Sequence, residues 1–259
     1  MTRVAGNTAT KLASFGYRWL PFADAASEDL SLGRLLRLSM FQISTGIVVV
    51  LLTGTLNRVM VVELGQAASW VSLMLAIPLL LAPARALIGY RSDHHRSYLG
   101  WRRIPYLWSG TMMQFGGLAF MPFALILMIE PHNGPAFLGP VAAMASFLLT
   151  GLGMHVAQTA GLALATDLAT EETRPRVVAL LYFMLLLGMI SSALVFAALL
   201  DDFNYVRLIQ VIQSAAVVTL VFNVVAMLKQ ERRRPDLTDH RLARPTFGHA
   251  WQDFIDVPR

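Results

Sequence analysis

The sequence predicts an all-α membrane protein with six transmembrane helices, and three observations predict it. Of its 259 residues, 56% are hydrophobic and only 14% charged, where an ordinary soluble domain carries roughly 25% charged residues. Polar surface is too scarce to enclose a core in water, which excludes a typical soluble enzyme. The apolar residues also fall in runs long enough to cross a bilayer core of about 30 Å, which takes roughly 20 residues of helix. Finally, the basic residues collect between alternate runs. The net charge is +5, the pI about 10.0 and the mean hydropathy +0.56. A nucleic-acid binder would not interleave its basic residues with long apolar runs, so no nucleic-acid partner is expected.

The six runs are 34–56, 67–90, 104–129, 135–166, 175–200 and 205–228. The first begins only near Leu35 with no processing site before it, so no cleaved signal segment is expected. The second contains Pro78 and Pro83 and the third Pro122, each a predicted kink that neighbouring helices can accommodate. The third and fifth open on Pro105 and Pro175, where a missing N–H costs nothing. The fourth is long enough to tilt or to begin outside the hydrocarbon. The chain thus divides into an amphipathic N-terminal segment 1–33, a six-helix domain 34–228 and a basic, amphipathic tail 229–259.

Orientation follows from lysine and arginine. Six spans place both termini and the second and fourth loops on one side, and that side holds 19 of the 21 basic residues. Only Arg58 and Arg207 fall on the other. Both ends are therefore expected in the cytoplasm. In the N-terminal segment Leu12, Phe15, Trp19 and Phe22 recur at helical spacing beside Lys11 and Arg18. In the tail Phe247, Ala250, Trp251 and Phe254 follow the basic run 232–234. These are expected to lie on the anionic inner leaflet or to dock on a partner subunit.

With no cysteine in the chain, disulfides, thiolate metal sites and cysteine nucleophiles are excluded. Nothing resembles a Ser/His/Asp triad, a phosphate-binding glycine loop or a dinucleotide fingerprint, so no enzymatic activity is expected. His155 reads as the ionisable side chain well inside a span, fourteen residues and about 21 Å beyond Val141. Gln158 and Thr159 share its face. Roughly opposite run Gly153, Ala157, Gly161 and Ala165, a ladder suited to tight helix packing. Three roles stay open for His155: a neutral side chain bonded to another helix, a single imidazole ligand to the magnesium of a chlorophyll-type ring, or a contact in a transport path. No second intramembrane histidine or carboxylate is evident to complete a metal cage or proton relay. Gln42, Gln114, Gln210, Gln213 and Asn223 are expected to hydrogen-bond between helices.

In the second loop Gly89, Asp93, Gly100, Arg102 and Arg103 resemble the loop signature of the major facilitator superfamily. Gly100 follows Asp93 by seven residues, where that signature has three. The fourth loop, with Asp167, Glu171, Glu172 and Arg174, resembles the corresponding loop of the same superfamily. Longer phrases carry a more specific likeness: 35–42, 54–64, 85–93, 100–106 and 158–169. They resemble the PucC/LhaA family, a bacteriochlorophyll delivery branch of the superfamily. The resemblance implies the N-terminal half of a twelve-helix facilitator-type fold in the inner (intracytoplasmic) membrane of a purple phototrophic bacterium. It implies a light-harvesting assembly factor that delivers or positions bacteriochlorophyll, working with antenna polypeptides or a reaction centre–antenna complex. His155, Gln158 and Thr159 are then the candidate pigment-binding residues, with His155 ligating magnesium. A six-helix half would leave exposed the face that packs on its twin, so a second half or a self-copy is expected to cover it, with lipid around the rest. The alternatives are a facilitator-type transporter of a small hydrophobic or amphipathic solute, and a structural subunit of a photosynthetic complex.

Overall fold

In a computed structural model of the protein the described residues are 22–26, 30–129, 134–135, 137–231, 233, 247–248, 252 and 255–256. A 3₁₀ turn at Ala23–Ala25 precedes six helices: α1 (Leu32–Glu63), α2 (Ala68–Asp93), α3 (Ile104–Ile129), α4 (Leu138–Leu168), α5 (Arg174–Leu199) and α6 (Tyr205–Met227). Each is long and apolar enough to cross a membrane. The chain is a multi-pass, all-α membrane protein.

Two helices depart from the sequence expectation for identifiable reasons. α1 opens on Ser31, whose hydroxyl accepts from the Arg34 N–H, and runs to Glu63 rather than stopping near Leu56. Past Val50 it widens into π-helical turns, Leu51–Leu56 and Val59–Glu63. Residues five apart become neighbours there, and Arg58 reaches Glu63 at 3.7 Å. Paired in this way, neither charge ends the helix. In α2 the kinks expected at Pro78 and Pro83 merge into one break between the α-helical halves Ala68–Leu80 and Ala84–Asp93. Pro83 has no N–H for the Leu79 carbonyl, so Ala82 N–H turns to that carbonyl at 2.9 Å. The carbonyl of Pro78 thereby loses its helical donor.

α1 is the central helix. Of its most apolar stretch 67% is buried, against 17% for α2. It packs on α4, α5 and α6, while α3 packs on α4 and α6, and α2 lies chiefly against α4. Lipid tails are as apolar as leucine, so helices in a membrane associate through close packing and hydrogen bonds. Glycines supply the close packing at two crossings. A Cβ on Gly46 would lie 2.5 Å from the Leu185 carbonyl oxygen, and one on Gly110 2.5 Å from the Ala157 nitrogen. The expected small-residue ladder of α4 therefore faces α3 through Gly153 and Ala157, and α1 through Gly161, which abuts Phe41. Hydrogen bonds follow the same seams. Gln114 Nε2 donates to Ser44 Oγ at 3.1 Å and Gln213 Nε2 to the Ala119 carbonyl at 3.1 Å. Gln210 is instead exposed, and Asn223 is buried with no hydrogen-bond partner among the described residues. The two amphipathic segments lie largely outside the described residues, but Phe22 meets the Phe183 ring and Phe247 the edge of Tyr90.

Candidate functional site

The break in α2 creates the polar seam that α4 faces. His155 is buried, and its Nε2 lies 3.1 Å from the Pro78 carbonyl that the break has orphaned. A carbonyl only accepts, so Nε2 carries the proton and Nδ1 the lone pair. Nδ1 is buried and unpartnered. Thr159 donates to the His155 carbonyl within its own helix at 2.7 Å, and its methyl faces Gly89. Gln158 is the junction: its Oε1 accepts from Arg85 Nη2, and its Nε2 donates to Gln42 Oε1 at 3.3 Å.

Arg85 is the residue the sequence reading missed. Topology assigned it to the second loop, although the predicted span 67–90 already contained it. It lies eight residues before Asp93 on α2, and Gln158 lies nine before Asp167 on α4. At 1.5 Å per residue both helices place the contact about 12–14 Å inside the charged end. Arg85 has no acidic partner among the described residues, and its Nε is buried without a hydrogen bond. Gln158, which it contacts, lies three residues beyond His155 on the same face of α4. An arginine at mid-membrane costs roughly 2.5–3.5 kcal/mol on insertion scales. A second ionisable group therefore stands beside His155.

At the charged end the structure joins the two loop motifs. Gly100 turns with φ +74, a left-handed conformation that favours glycine, and delivers Arg102 and Arg103 to the start of α3. Arg103, only 5% exposed, meets Asp167 at 3.1 Å, pairs with Asp93 and donates to Ser92 Oγ at 2.7 Å. Arg102 reaches Asp167 at 3.6 Å. Of the predicted loop residues, Asp93, Gly100, Arg102 and Arg103 come together, while Gly89 sits one turn before Asp93 on α2, against α4. Beyond α6, Glu231 accepts from the N–H groups of Arg102, Arg103 and Ile104 at 2.7–3.1 Å, capping α3. Gln230 accepts from Arg34 Nε and donates to its carbonyl, each at 3.2 Å. A charged cap on a helix N-terminus is worth about 1–2 kcal/mol. Glu231→Ala is accordingly expected to lower the thermal unfolding temperature in detergent by several degrees. An unchanged midpoint would show that the cap carries no stability.

No group of three or more His, Cys, Asp or Glu among the described residues could hold a metal ion. For the magnesium of a bacteriochlorophyll the imidazole must offer an accessible lone pair. With Nε2 donating to Pro78 and Nδ1 sealed in protein, His155 as packed does not fit an axial ligand.

A model of the PUCC protein family matches residues 55–259. The chain belongs to the PucC family. Protein PucC of Rhodovulum sulfidophilum is 54% identical over 264 residues, covering 100% of this chain and 58% of that protein. Protein PucC of Rhodobacter capsulatus is 53% identical over 249 residues, covering 93% and 53%. The bacteriochlorophyll synthase 44.5 kDa chain of Rhodobacter capsulatus is 28% identical over 200 residues, covering 77% and 45%. No solved structure matches. This PucC-family chain spans about half the length of the curated relatives it matches. The family match begins within α1, so Arg85, His155, Gln158 and the charged end lie inside it, whereas Arg34 and Gln42 precede it.

Proposed function

We propose that this PucC-family chain assists assembly of light-harvesting complexes in a purple phototrophic bacterium, delivering or positioning bacteriochlorophyll for antenna polypeptides without catalysing a reaction. The observation that carries the proposal is the likeness to PucC proteins along the full chain, at 54% identity. The architecture is compatible with it. Outlying α2 and α5 present apolar side chains to the membrane, Leu79 and Ile190 among them, where antenna helices, a second six-helix half or another copy of the chain can lie. Ion-coupled transport fits less well, because the seam contains no carboxylate among the described residues. In this reading both ends lie in the cytoplasm, on the side that holds 19 of the 21 basic residues, and the domain lies in the inner, intracytoplasmic membrane.

The pigment supplies only light absorption and a magnesium coordination site when bound. This chain's own residues supply apolar surface and hydrogen-bond donors, and His155 holds the Pro78 carbonyl. The test is to purify the protein in mild detergent from a photosynthetic host and record the near-infrared spectrum, wild type beside His155→Ala. A bacteriochlorophyll band is expected in both. Loss of the band in a folded His155→Ala variant would assign the ligand role to His155 instead. No band in either protein would end the pigment reading.

A further inference from the structure

An open groove of about 360 Å³ lies between the first turns of α3 and the last turns of α6, at the charged end of the helices. Its walls are apolar, with Ile104 and Trp108 on one side and Val224 and Leu228 on the other. Trp108 stands four residues into α3, about 6 Å past its start. It is 48% exposed, and Leu228 is 52% exposed. The groove therefore opens sideways to the bilayer. Its mouth is basic. Lys229 is exposed, and the Arg233 guanidinium lies 5.2 Å from the centre of the Trp101 ring. Neither has an acidic partner among the described residues. Glu231 also lines the mouth, but its carboxylate is taken up by three N–H groups at the positive end of α3.

We infer that this groove binds an anionic phospholipid, with one acyl chain between α3 and α6 and the headgroup phosphate on Lys229 and Arg233. A guanidinium lying over the Trp101 ring keeps N–H groups free for phosphate oxygens. A zwitterionic headgroup brings a cation that the same two charges repel, and an anionic headgroup does not. Tryptophan rings sit at headgroup depth in membrane proteins, and basic pockets between helices on the cytoplasmic side suit anionic lipids. Protein partners have other surfaces. The outlying apolar faces belong to α2 and α5, and Phe247 of the tail meets Tyr90 on α2, which packs chiefly on α4. The site needs no pigment and stands apart from the pigment reading. It also borders a structural lock, since Gln230 and Glu231, next to Lys229, tie the starts of α1 and α3 to the end of α6.

The test uses the full chain in phosphatidylcholine vesicles that contain a rising fraction of phosphatidylglycerol or phosphatidylcholine brominated on the acyl chain. Bromine quenches tryptophan fluorescence on contact, and the difference between wild type and Trp108→Phe isolates the signal of Trp108. Quenching of Trp108 is expected at about five-fold lower fractions of the brominated phosphatidylglycerol, since a basic residue near an anionic lipid is worth about 1 kcal/mol. Lys229→Asn combined with Arg233→Gln should bring the two lipids level. Asparagine tolerates the φ of +54 at position 229, and both side chains are exposed, so the variant should fold. Arg96→Gln combined with Arg174→Gln removes the same charge from exposed positions outside the groove and should leave the preference intact. Equal quenching by the two lipids in the wild type overturns the inference, as does a preference that survives loss of Lys229 and Arg233. A preference lost equally in the Arg96 and Arg174 variant would reduce it to general surface charge and overturns the site. No quenching of Trp108 by either lipid would mean that something other than lipid covers the groove, which overturns it too.

Discussion

Gly153→Leu is expected to prevent α3 and α4 from packing and to leave little folded protein. A Cβ at this position would lie 2.6 Å from the Gly110 carbonyl oxygen and closer still to the Gln114 nitrogen. Both atoms are backbone and cannot rotate aside as a side chain would. The reciprocal contact is as tight, with a Cβ on Gly110 lying 2.5 Å from the Ala157 nitrogen. To admit a leucine the helices must part, which would also pull Gly117 from Ser146 and loosen the Gln114–Ser44 hydrogen bond. Overpacking of a close contact costs about 1–3 kcal/mol when side chains can yield. Here only the helices can, so a loss of about 3 kcal/mol or more is expected. The readout is the monodisperse fraction after detergent extraction together with the thermal midpoint. Gly33→Ala is the control, since nothing lies within 4 Å of a Cβ there. A Gly153→Leu protein that extracts and melts like wild type would show that the crossing is looser than described.

The small face of α4 was legible as Gly153, Ala157, Gly161 and Ala165 at four-residue spacing. The partner glycines on α3 were not, because a single sequence shows which residues are small and not which helices meet. Span starts were legible wherever proline marks them, at Pro105 and Pro175. The end of α1 was hidden because Arg58 reads as a loop charge until Glu63 is seen beside it. His155 was legible as a special position, but its partner is the carbonyl of Pro78, a group every residue carries and no sequence letter marks. Arg85 was hidden differently. Counting it among the topology-setting charges removed it from the list of intramembrane groups, although the span boundaries had already enclosed it. The two loop motifs were each legible. Their meeting was not, since Arg103 and Asp167 are 64 residues apart and Glu231 caps α3 from 127–129 residues away.

Arg103→Gln is expected to be the most damaging single change at the charged end, and its effect should be local before it is global. Arg103 ties the end of α2, through Asp93 and Ser92, to the end of α4, through Asp167, while sitting at the start of α3. Breaking a buried ion pair from one side costs about 3–5 kcal/mol, mostly for the charge left stranded. The acids left here are not fully stranded, since the Asp93 and Asp167 side chains remain 46% and 37% exposed. Water recovers part of the loss, so a cost of about 2–3 kcal/mol is expected once the buried value is discounted for solvent. Asp93→Asn should cost under about 1 kcal/mol, because Arg103 keeps Asp167 and the lost carboxylate was half in water. The double variant should fall close to Arg103→Gln alone, since the pair cannot be broken twice. Freed of its anchor, the segment between α2 and α3 should open, and trypsin should cut at exposed Arg96 many-fold faster at temperatures well below the midpoint. Wild-type cleavage kinetics and midpoint in Arg103→Gln would mean that Glu231 and the glycine turn hold the three helix ends without it.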